Sequence, residues 1–379
     1  MRFVVVAGHV CIDIIPQIER GFELVPGRLV EIGSAVNATG GAVSNTGVAL
    51  HVLGIPAVLM GKVGDDSFGS SIIDIFNGYD ESLGAGMNVV RGEATSYTVV
   101  VSIPGQDRTF MHCPGANNTF TDDDLAYDQI EGAAIFHFGY PTLMQKMYEN
   151  DGANLIRMMQ RVKERGAATS LDMTVPDPDG PSGQVDWARI FGGLKGYLDI
   201  FMPSADELLY VLDRAHFGRG DDLSGDEVTV LGRKLLDLDV AVAGVKLGGR
   251  GLYIRTAGVD RLAKIADACT GDLENWADRE LWFPVYEVEN FATAAGAGDT
   301  TIAGFIASML RGFSVEDAGA TANMVGALNV QAADALSGLE DWDTTLALRQ
   351  TTGRVPLEVT GSGWTEDTAT GVWSGPNDS

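Results

Sequence analysis

The chain has 379 residues, and its 52 acidic and 26 basic side chains give a formal net charge of −26 at pH 7. This length suits one large α/β domain with a smaller appended element, and a hydrophobic fraction of 45% is ordinary for a globular protein. Nucleic acids and anionic membranes attract clustered basic side chains, which this sequence lacks, so the charge argues against both partners.

Three cysteines, Cys11, Cys113 and Cys269, have spacings that match no metal-binding motif. An odd number of cysteines without such a motif is typical of a reducing compartment, so we expect a cytoplasmic protein. The apolar run at the N-terminus is too short for a signal peptide, and no apolar run approaches the roughly 20 residues of a membrane-spanning helix. We therefore expect neither a targeting sequence nor a membrane partner.

Hydrophobic periodicity predicts strands and helices over the first third of the chain. In chain order these are a strand at Phe3–Ala7, a helix at Gly40–Leu53, a strand at Val58–Val63, a helix at Ser67–Phe76, and strands at Ser96–Ile103 and Arg108–Cys113. Residues 104–107, Pro-Gly-Gln-Asp, predict the turn that joins the last two strands.

After Asn118 the predicted strands and helices alternate regularly. The predicted strands are Ala133–Phe138, Ala167–Met173, Tyr197–Met202, Val240–Leu247, Gly251–Ile254 and Leu281–Val288. The predicted helices are Asn154–Arg165, Ala205–Leu212, Glu227–Leu236, Thr300–Arg311 and Val315–Ala335. Such alternation implies a mostly parallel sheet with helices on both faces, whose ligands collect at the carboxyl ends of the strands.

Two further stretches lack a regular pattern. Residues 260–280 predict an irregular insertion before a strand. Residues 351–379 are rich in Gly, Thr, Ser and Asp, which predicts a loosely packed C-terminal tail after a main domain at residues 1–350. Trp364 and Trp373 are the candidates for anchoring part of this tail on the body of the protein.

The most informative motif, Ala-Gly-Ala-Gly-Asp at residues 295–299, leads directly into a predicted helix. Small residues let the backbone approach a ligand closely, and the unpaired amides and partial positive charge of a helix N-terminus favour a phosphate. The pattern therefore favours phosphoryl transfer from a nucleotide to a hydroxyl, with Asp299 accepting the hydroxyl proton. A tight turn in which Asp299 only caps the helix is the alternative.

A second glycine motif, Gly-Gly-Ala-Val-Ser-Asn at residues 40–45, begins the first predicted helix. Paired glycines at a helix start allow a polar ligand to contact backbone amides, and Asn45 adds a side-chain donor and acceptor. The alternative is a helix cap followed by a buried asparagine. Residues 61–69 also follow a strand and open a helix, but an N-cap at Asp66 or Ser67 explains them structurally.

In this order, the motifs at residues 40–45, 61–69 and 296–299 resemble those of the PfkB/ribokinase family of carbohydrate and nucleoside kinases. Asp13 after the first strand and Arg108 before a Gly-Ala-Asn sequence resemble further landmarks of that family. The resemblance extends from residue 3 to about residue 335. It implies a ribokinase-like α/β fold, with a mostly parallel sheet, helices on both faces and a small β-sheet lid from about residues 13–39 and 89–113.

The resemblance also implies ATP and Mg²⁺ as cofactors and a role for individual residues. Asp299 would be the general base, beside the phosphoryl-binding main chain of Gly296, Ala297 and Gly298. The residues expected to bind the sugar are Asp13, Gly40, Gly41, Asn45 and Arg108. The residues expected to bind ATP are Lys246, Gly248, Gly249 and Gly251, for which a plain β-turn is the alternative.

Two positions depart from the pattern of this family. Its Asn-x-x-Glu motif, which helps to organise magnesium, begins here with Ser204 and ends with Glu207. The resemblance implies an indirect metal role for Glu207, with Asp206 as a second candidate for the same role, and a solvated helix face is the alternative. The Asp-Thr-Thr of the family is Thr-Ala-Ala at residues 293–295, so the acid commonly associated with a monovalent cation is missing and we predict no potassium activation.

Other polar residues near the predicted strands have simpler explanations. His9, His112 and His137 are expected to be hydrogen-bonded core residues, although His137 is also placed near a strand end that can face the substrate. Asp172 ends another predicted strand, where a capping role is favoured over contact with substrate or metal.

We therefore expect an ATP-dependent kinase that phosphorylates a hydroxyl of a small sugar. A nucleoside kinase is the first alternative and requires an apolar slot for the base, near Phe110, Met111 or Phe138. A non-catalytic sugar-binding regulatory member of the same fold is the second, motivated by Ser204 and Thr293. The open strand edges of a lid also predict a homodimer formed through it.

Overall fold

A computed structural model describes residues 2–23, 25–104 and 109–378 of the chain. The strands over these residues are β1 (Val4–Gly8), β2 (Cys11–Pro16), β3 (Ala35–Gly40), β4 (Ala57–Met60), β5 (Lys62–Gly64), β6 (Asn88–Val90), β7 (Tyr97–Val101), β8 (Thr109–Cys113), β9 (Ile135–Gly139), β10 (Ala168–Asp172), β11 (Ile200–Phe201), β12 (Val242–Lys246), β13 (Leu252–Thr256), β14 (Glu280–Phe283), β15 (Thr365–Asp367) and β16 (Val372–Ser374).

The α-helices over the same residues connect or flank these strands. They are α1 (Ala42–Val52), α2 (Ser67–Tyr79), α3 (Gln145–Lys163), α4 (Trp187–Gly193), α5 (Ala205–Leu212), α6 (Gly225–Leu236), α7 (Val259–Leu262), α8 (Leu273–Trp276), α9 (Ala297–Leu310), α10 (Val315–Asn329) and α11 (Trp342–Thr351). The backbone of α3 is not helical from Glu149 to Gly152, which explains why the sequence pattern predicts only its second part, from Asn154.

The large sheet has the strand order β15-β16-β14-β13-β12-β11-β10-β9-β1-β4 within the described residues. Strands β4, β1, β9, β10, β11 and β12 are parallel, and the remaining strands pair antiparallel to their neighbours. Gly8, Gly139 and Asp172 align in register at the carboxyl ends of β1, β9 and β10. This edge of the sheet is where ligands collect in an α/β fold.

Alternate residues of β1 face two hydrophobic cores. Val4 and Val6 belong to the first core, which also contains apolar residues of α1, α9 and α10. Val5 and Ala7 belong to the second core, which contains apolar residues of α3 and α6. Since successive side chains of a strand point to opposite faces, helices cover both faces of the sheet. The predicted architecture, a mostly parallel sheet between two helical layers with a separate small sheet, is confirmed.

The small sheet has the order β3-β2-β7-β8, so that β3 and β8 are its edge strands. The sequence predicts lid segments at about residues 13–39 and 89–113, but the first strand begins earlier, at Cys11. Asn88–Val90 does not join this sheet and pairs with β5 instead. The predicted strand Val58–Val63 is likewise divided at Gly61, where a Cβ would lie 2.8 Å from side-chain atoms of both Val10 and Met87.

The C-terminal segment differs from the loosely packed tail that the sequence predicts. Its strand β16 pairs antiparallel with β14, and β15 pairs with β16, so the segment extends the large sheet. Trp364 packs against Tyr253 and Trp282, with ring centroids 6.2 and 5.8 Å away. The Gly- and Ser-rich composition suggests a loop, but these aromatic contacts and the exposed edge of β14 order the segment.

Helices α4 and α11 are not predicted by the sequence pattern, and residues 260–280 contain the short helix α8 rather than only irregular chain. Asp341 explains the start of α11, because its carboxylate accepts a hydrogen bond from the Thr344 amide at 2.8 Å. The three cysteines are free thiols. Across the described ranges, no helix is both long enough and apolar enough to cross a bilayer.

Candidate active site

Asp299 lies in the first turn of α9 and is only 1% exposed. The residue at the N-cap position is Gly296, whose φ of 77° lies in the left-handed region that glycine tolerates best. The alternative interpretation of Asp299 as the helix cap is therefore wrong, because Asp299 is the third residue of the helix and its side chain is buried. Helix α1 packs against α9 and supplies Asn45, a hydrogen-bond donor to Asp299.

The two carboxylate oxygens of Asp299 have different surroundings. Oδ2 accepts hydrogen bonds from Asn45 Nδ2 at 2.9 Å and from the Tyr140 hydroxyl at 2.6 Å. Oδ1 is buried without a hydrogen-bond partner among the described residues. Burial first and the negative charge of Asp172 second raise the pKa of Asp299 to about 6. A carboxylate with one free oxygen and such a pKa is suited to accept a proton near neutral pH.

The two glycines before α1 pack closely against Asp13 and His9. A Cβ on Gly40 would overlap the Asp13 carboxylate, and a Cβ on Gly41 would lie 2.5 Å from His9 Nδ1. Gly41 also has a φ of 87°, which most other residues do not tolerate. Among the predicted sugar-binding residues, Gly40 thus lies against Asp13 in the small sheet, and Asn45 of α1 contacts Asp299 directly.

Two histidines meet where the large sheet joins the small sheet. His9 Nε2 lies 3.3 Å from His112 Nε2, and His112 Nδ1 lies 3.0 Å from Thr98 Oγ1. Burial lowers the pKa of both histidines below the ordinary value, and for His9 the facing imidazole of His112 adds to this. His137 is a hydrogen-bonded core residue, with Nδ1 2.9 Å from Ser170 Oγ. All three imidazoles are therefore neutral at pH 7.

A cavity of about 770 Å³ opens on the other side of the start of α9. The predicted nucleotide residues Lys246, Gly248, Gly249 and Gly251 line it, together with Ala297 and Gly298. Its apolar lining residues include Val285, Val288, Phe291, Ala327, Val330 and Val355. A cavity of this size, with mostly apolar walls and few polar groups at one end, is typical of a site for a small organic ligand.

Lys246 connects this cavity to the carboxylates at the sheet edge. Its Nζ donates to Asp172 Oδ1 at 2.7 Å, and a Cβ on Gly298 would lie 3.0 Å from the same nitrogen. Asp172 therefore forms a buried ion pair rather than the capping interaction that the sequence favours. Burial lowers the pKa of Lys246, but the charges of Asp172 and Glu207 outweigh this and raise it, so the amine stays protonated.

Glu207 is 8% exposed, which excludes the solvated helix face as its environment. It forms a capping box with Ser204, whose amide donates to Glu207 Oε2 at 2.6 Å and whose Oγ accepts from the Glu207 amide at 3.2 Å. Burial raises the pKa of Glu207 to about 7, with Lys246 opposing the shift and Asp172 adding to it. Asp206 does not share this position, because its carboxylate accepts from the amides of Gly218 and Gly220.

Sequence reasoning missed Tyr140, the Lys246–Asp172 pair and the position of His9 and His112. Tyr140 follows the last residue of β9, and the carboxyl ends of parallel strands are a usual place for ligand contacts, so its position was a usable signal. Arg108, predicted to bind the sugar, lies outside the described residues. The roles assigned to the other site residues stay predictions.

A model of the pfkB family of carbohydrate kinases matches residues 1–342 of the chain. The probable fructokinase-3 of Arabidopsis thaliana is 31% identical over 210 residues, which amount to 54% of this chain and 57% of that protein. The match thus spans somewhat more than half the length of this curated relative.

Solved structures show the same fold over almost the whole chain. The ribokinase of Arabidopsis thaliana complexed with ribose and ATP has a TM-score of 0.70 at 22% identity and covers 92% of this chain and 99% of its own. A fructokinase with bound ATP from Xylella fastidiosa has a TM-score of 0.69 at 20% identity, over 93% of this chain and 99% of its own. The predicted ribokinase-like fold is confirmed.

Proposed function

The chain belongs to the pfkB family of carbohydrate kinases, and from this premise we propose that it transfers the γ-phosphoryl group of ATP to a hydroxyl of a small sugar. The observation that carries the proposal is the position of Asp299. Its buried carboxylate has one unpaired oxygen, with candidate sugar-binding residues on one side and the 770 Å³ cavity on the other. An acceptor hydroxyl and a nucleotide phosphate would meet at this carboxylate.

In the proposed reaction, Asp299 Oδ1 accepts the proton of the acceptor hydroxyl while the sugar oxygen attacks the γ-phosphorus. The new oxygen–phosphorus bond forms as the bond between the γ-phosphorus and the bridging oxygen breaks, and ADP leaves with that electron pair. A positioned base contributes about 10²–10⁴-fold to such a rate. The start of α9, at Gly296, Ala297 and Gly298, would stabilise the transferring charge through its amides.

The proposed sugar site consists of Asp13, Gly40, Gly41 and Asn45, with Arg108 as a further candidate. Asn45 Oδ1, like Asp299 Oδ1, is buried without a hydrogen-bond partner among the described residues. Buried acceptors are normally paired. Two unpaired acceptors on side chains that are hydrogen-bonded to each other therefore support a ligand that offers several hydroxyl donors.

The proposed nucleotide site is the cavity next to α9. Its apolar walls suit the faces of an adenine, and Gly248, Gly249 and Gly251 leave room for the nucleotide at the mouth. Lys246 would contact the phosphates, a role supported by its position in the lining of this cavity and close to Gly298 at the start of α9.

The residues present also fit Mg²⁺ held mainly by ATP. In the described ranges, no three His, Cys, Asp or Glu side chains cluster closely enough to hold a metal by themselves. Mg²⁺ usually needs only one or two carboxylates in addition to phosphates and water. Glu207 would hold the ion indirectly, with Asp172 as a second carboxylate close enough to raise the pKa of Glu207. The bound ion would neutralise charge on the phosphate oxygens.

We propose residues 1–350 as the kinase unit, with the small sheet as a lid and residues 351–379 completing the edge of the large sheet. The lid also supports a homodimer. Val36 on β3 and Phe110 and Met111 on β8 are 47%, 57% and 54% exposed on its two open edge strands. A second copy would cover both the apolar side chains and the unpaired strand edges. Three free thiols favour a cytoplasmic location.

The test is ATP consumption across a panel of sugars, sugar phosphates and nucleosides, combined with thermal-shift measurements of binding. We expect turnover with at least one sugar and a loss of at least about 10²-fold in Asp299→Asn. Turnover restricted to nucleosides would identify a nucleoside kinase. Sugars that stabilise the protein without ATP consumption would identify a regulatory protein, and an active Asp299→Asn variant would exclude Asp299 as the base.

A further inference from the structure

We propose that Tyr140 is a positioning residue that orients Asp299, reserving its Oδ1 atom for the acceptor hydroxyl. The inference rests on the proposed kinase function and extends it to a residue that the glycine motifs do not include. Three independent features carry it: the backbone conformation of Tyr140, its hydrogen bond to the carboxylate, and the unequal environment of the two carboxylate oxygens.

The backbone of Tyr140 is left-handed, with φ 64° and ψ 47°. This conformation is unfavourable for a bulky residue, whereas glycine or asparagine adopts it at lower cost. Tyr140 directly follows β9 in a sharp turn, in which its amide donates to the Asp172 carbonyl at 3.2 Å. Strained conformations that the surrounding structure maintains are concentrated at functional sites. The unfavourable turn places the tyrosine ring at the carboxyl edge of the sheet.

At this position the hydroxyl of Tyr140 forms a hydrogen bond with Asp299. The Tyr140 hydroxyl donates to Asp299 Oδ2 at 2.6 Å, a short distance typical of a bond to a charged oxygen. Asn45 Nδ2 donates to the same oxygen at 2.9 Å. With both donors on Oδ2, rotation of the carboxylate would break two hydrogen bonds. Oδ1 is thereby left without a partner among the described residues and available to the acceptor hydroxyl, and Asn45 Oδ1 is likewise unpaired.

The pKa shifts of Asp299 and Tyr140 also support this role of Tyr140. Burial and the charge of Asp172 raise the pKa of Asp299, whereas the hydrogen bonds from Tyr140 and Asn45 and the charge of Lys246 lower it. Burial, followed by the charges of Asp299 and Asp172, raises the pKa of Tyr140 well above its ordinary value, so its hydroxyl stays protonated and acts as the donor. Tyr140 therefore favours the ionised form of the base, which is the form that can accept a proton.

The test compares Tyr140→Phe with Tyr127→Phe. Phenylalanine keeps the ring, so the contact of Tyr140 with His9, whose centroid is 5.9 Å away, is retained. Tyr127 is the matched control, since its hydroxyl is also buried but has no hydrogen-bond partner among the described residues. For both variants, kcat and kcat/KM for the sugar are measured against pH, and thermal stability is measured over the same range.

We expect Tyr140→Phe to lower kcat at pH 7 about tenfold and to move the acid limb of kcat/KM upward by about one pH unit, because a hydrogen bond to a charged group is lost. Tyr127→Phe should reproduce the wild-type profile. The stability difference between wild type and Tyr140→Phe should also grow as the pH rises through the pKa of Asp299. The stability difference between wild type and Tyr127→Phe should stay constant over the same pH range.

A Tyr140→Phe profile that superimposes on the wild-type profile would overturn the proposal. The pH dependence of the stability difference tests the Tyr140–Asp299 interaction independently of catalytic turnover. If the wild-type protein consumes no ATP with any acceptor, the kinase function fails, but a pH-dependent stability difference still supports the Tyr140–Asp299 interaction, and a constant difference rejects it.

Discussion

Lys246 Nζ lies 2.7 Å from Asp172 Oδ1, and these two residues are the last of β12 and β10, on either side of β11. The ion pair thus bridges the carboxyl edge of the sheet beneath the start of α9. The Asp172 side chain is almost completely buried, and burial raises its pKa, although Lys246 opposes this. Each member therefore depends on the other to remain charged.

Lys246→Met should impair both stability and catalysis. Removing one partner of a buried ion pair typically costs about 3–5 kcal/mol, because the other charge is left unpaired. The loss of Lys246 also removes a charge that lowers the pKa of Asp299, so kcat at pH 7 should fall and the KM for ATP should rise. Steady-state kinetics and denaturant unfolding measure the two effects.

Asp172→Asn in the Lys246→Met background separates these effects, since it should restore most of the stability but not the KM for ATP. Lys163→Met is the matched control. Lys163 Nζ pairs with buried Asp199 Oδ2 at 2.7 Å and does not line the proposed nucleotide cavity, while Arg261 is a second partner of Asp199. The Lys163→Met variant should lose some stability but keep the wild-type kinetic constants. A Lys246→Met variant with wild-type kinetics would exclude contact between Lys246 and the phosphates.

The activity should fall below about pH 6, where Asp299 becomes protonated and can no longer accept a proton. Stability should respond in the opposite direction. The folded pKa of Asp299 is raised above the ordinary value of 3.8, so the ionised form destabilises the folded state, and this penalty develops as the pH rises from about 4 to about 6. At pH 7 the penalty is fully present.

Asp299→Asn should therefore be inactive yet at least as stable as the wild type at pH 7, with no such gain at pH 4. Thermal unfolding at both pH values and the pH profile of kcat/KM provide the measurements. A variant that is less stable than wild type at pH 7 by the same amount as at pH 4 would contradict the raised pKa.

The sequence was most informative where function depends on local geometry. Gly296, Gly298 and Asp299 are close together in the chain, so their motif alone predicts a helix start with an acid at the junction. The partners of that acid are distant in sequence: Asn45 and Tyr140 are 254 and 159 positions away from Asp299. Contacts of this kind depend on the sheet register, which no local pattern encodes.

The same distinction applies to the fold. Parallel strands such as β1 and β9 are fully buried, and their mostly apolar sequences predict them well. Strands β15 and β16 lie in a polar, glycine-rich segment and acquire their order only from β14 and its neighbours. Tyr140 was missed for a related reason, because a left-handed backbone at a tyrosine is not visible in its residue type.

Asn377→Ala tests whether the C-terminal segment stabilises the fold. The backbone N–H of Asn377 donates to Glu280 Oε2 at 2.8 Å, and its side-chain Nδ2 donates to the same oxygen at 2.7 Å. The Glu280 side chain is completely buried. Although burial alone raises the pKa of Glu280, Asn377, Thr229 and Tyr253 lower it below its ordinary value. Losing the side-chain donor should cost about 1–3 kcal/mol of unfolding free energy at pH 7.

Because the pKa of Glu280 is lowered in the folded state, this contribution is present above its ordinary value of 4.5 and is lost as the pH falls through the folded pKa. The difference between wild type and Asn377→Ala should therefore shrink in acid. Glu366→Ala, on the exposed strand β15, is the control and should change stability by less than about 0.5 kcal/mol. Equal losses in the two variants would mean that the contact with Glu280 does not stabilise the protein.

Gly40→Ala should weaken sugar binding while leaving the nucleotide site intact. Gly40 has an ordinary φ, so alanine introduces no backbone strain, but its Cβ would overlap the Asp13 carboxylate. Relieving such a contact costs about 1–3 kcal/mol, which corresponds to a rise in the sugar KM of roughly tenfold or more.

Gly78→Ala is the matched control, because no atom lies within 4 Å of the new Cβ and the site is an exposed helix position. It should be neutral or slightly stabilising, since alanine is the better helix former. The KM for ATP should be unchanged in both variants, because Gly40 ends β3 of the small sheet and does not line the proposed nucleotide cavity. If Gly40→Ala raised the KM for ATP and left the KM for the sugar unaltered, Asp13 and Gly40 would not belong to the acceptor site.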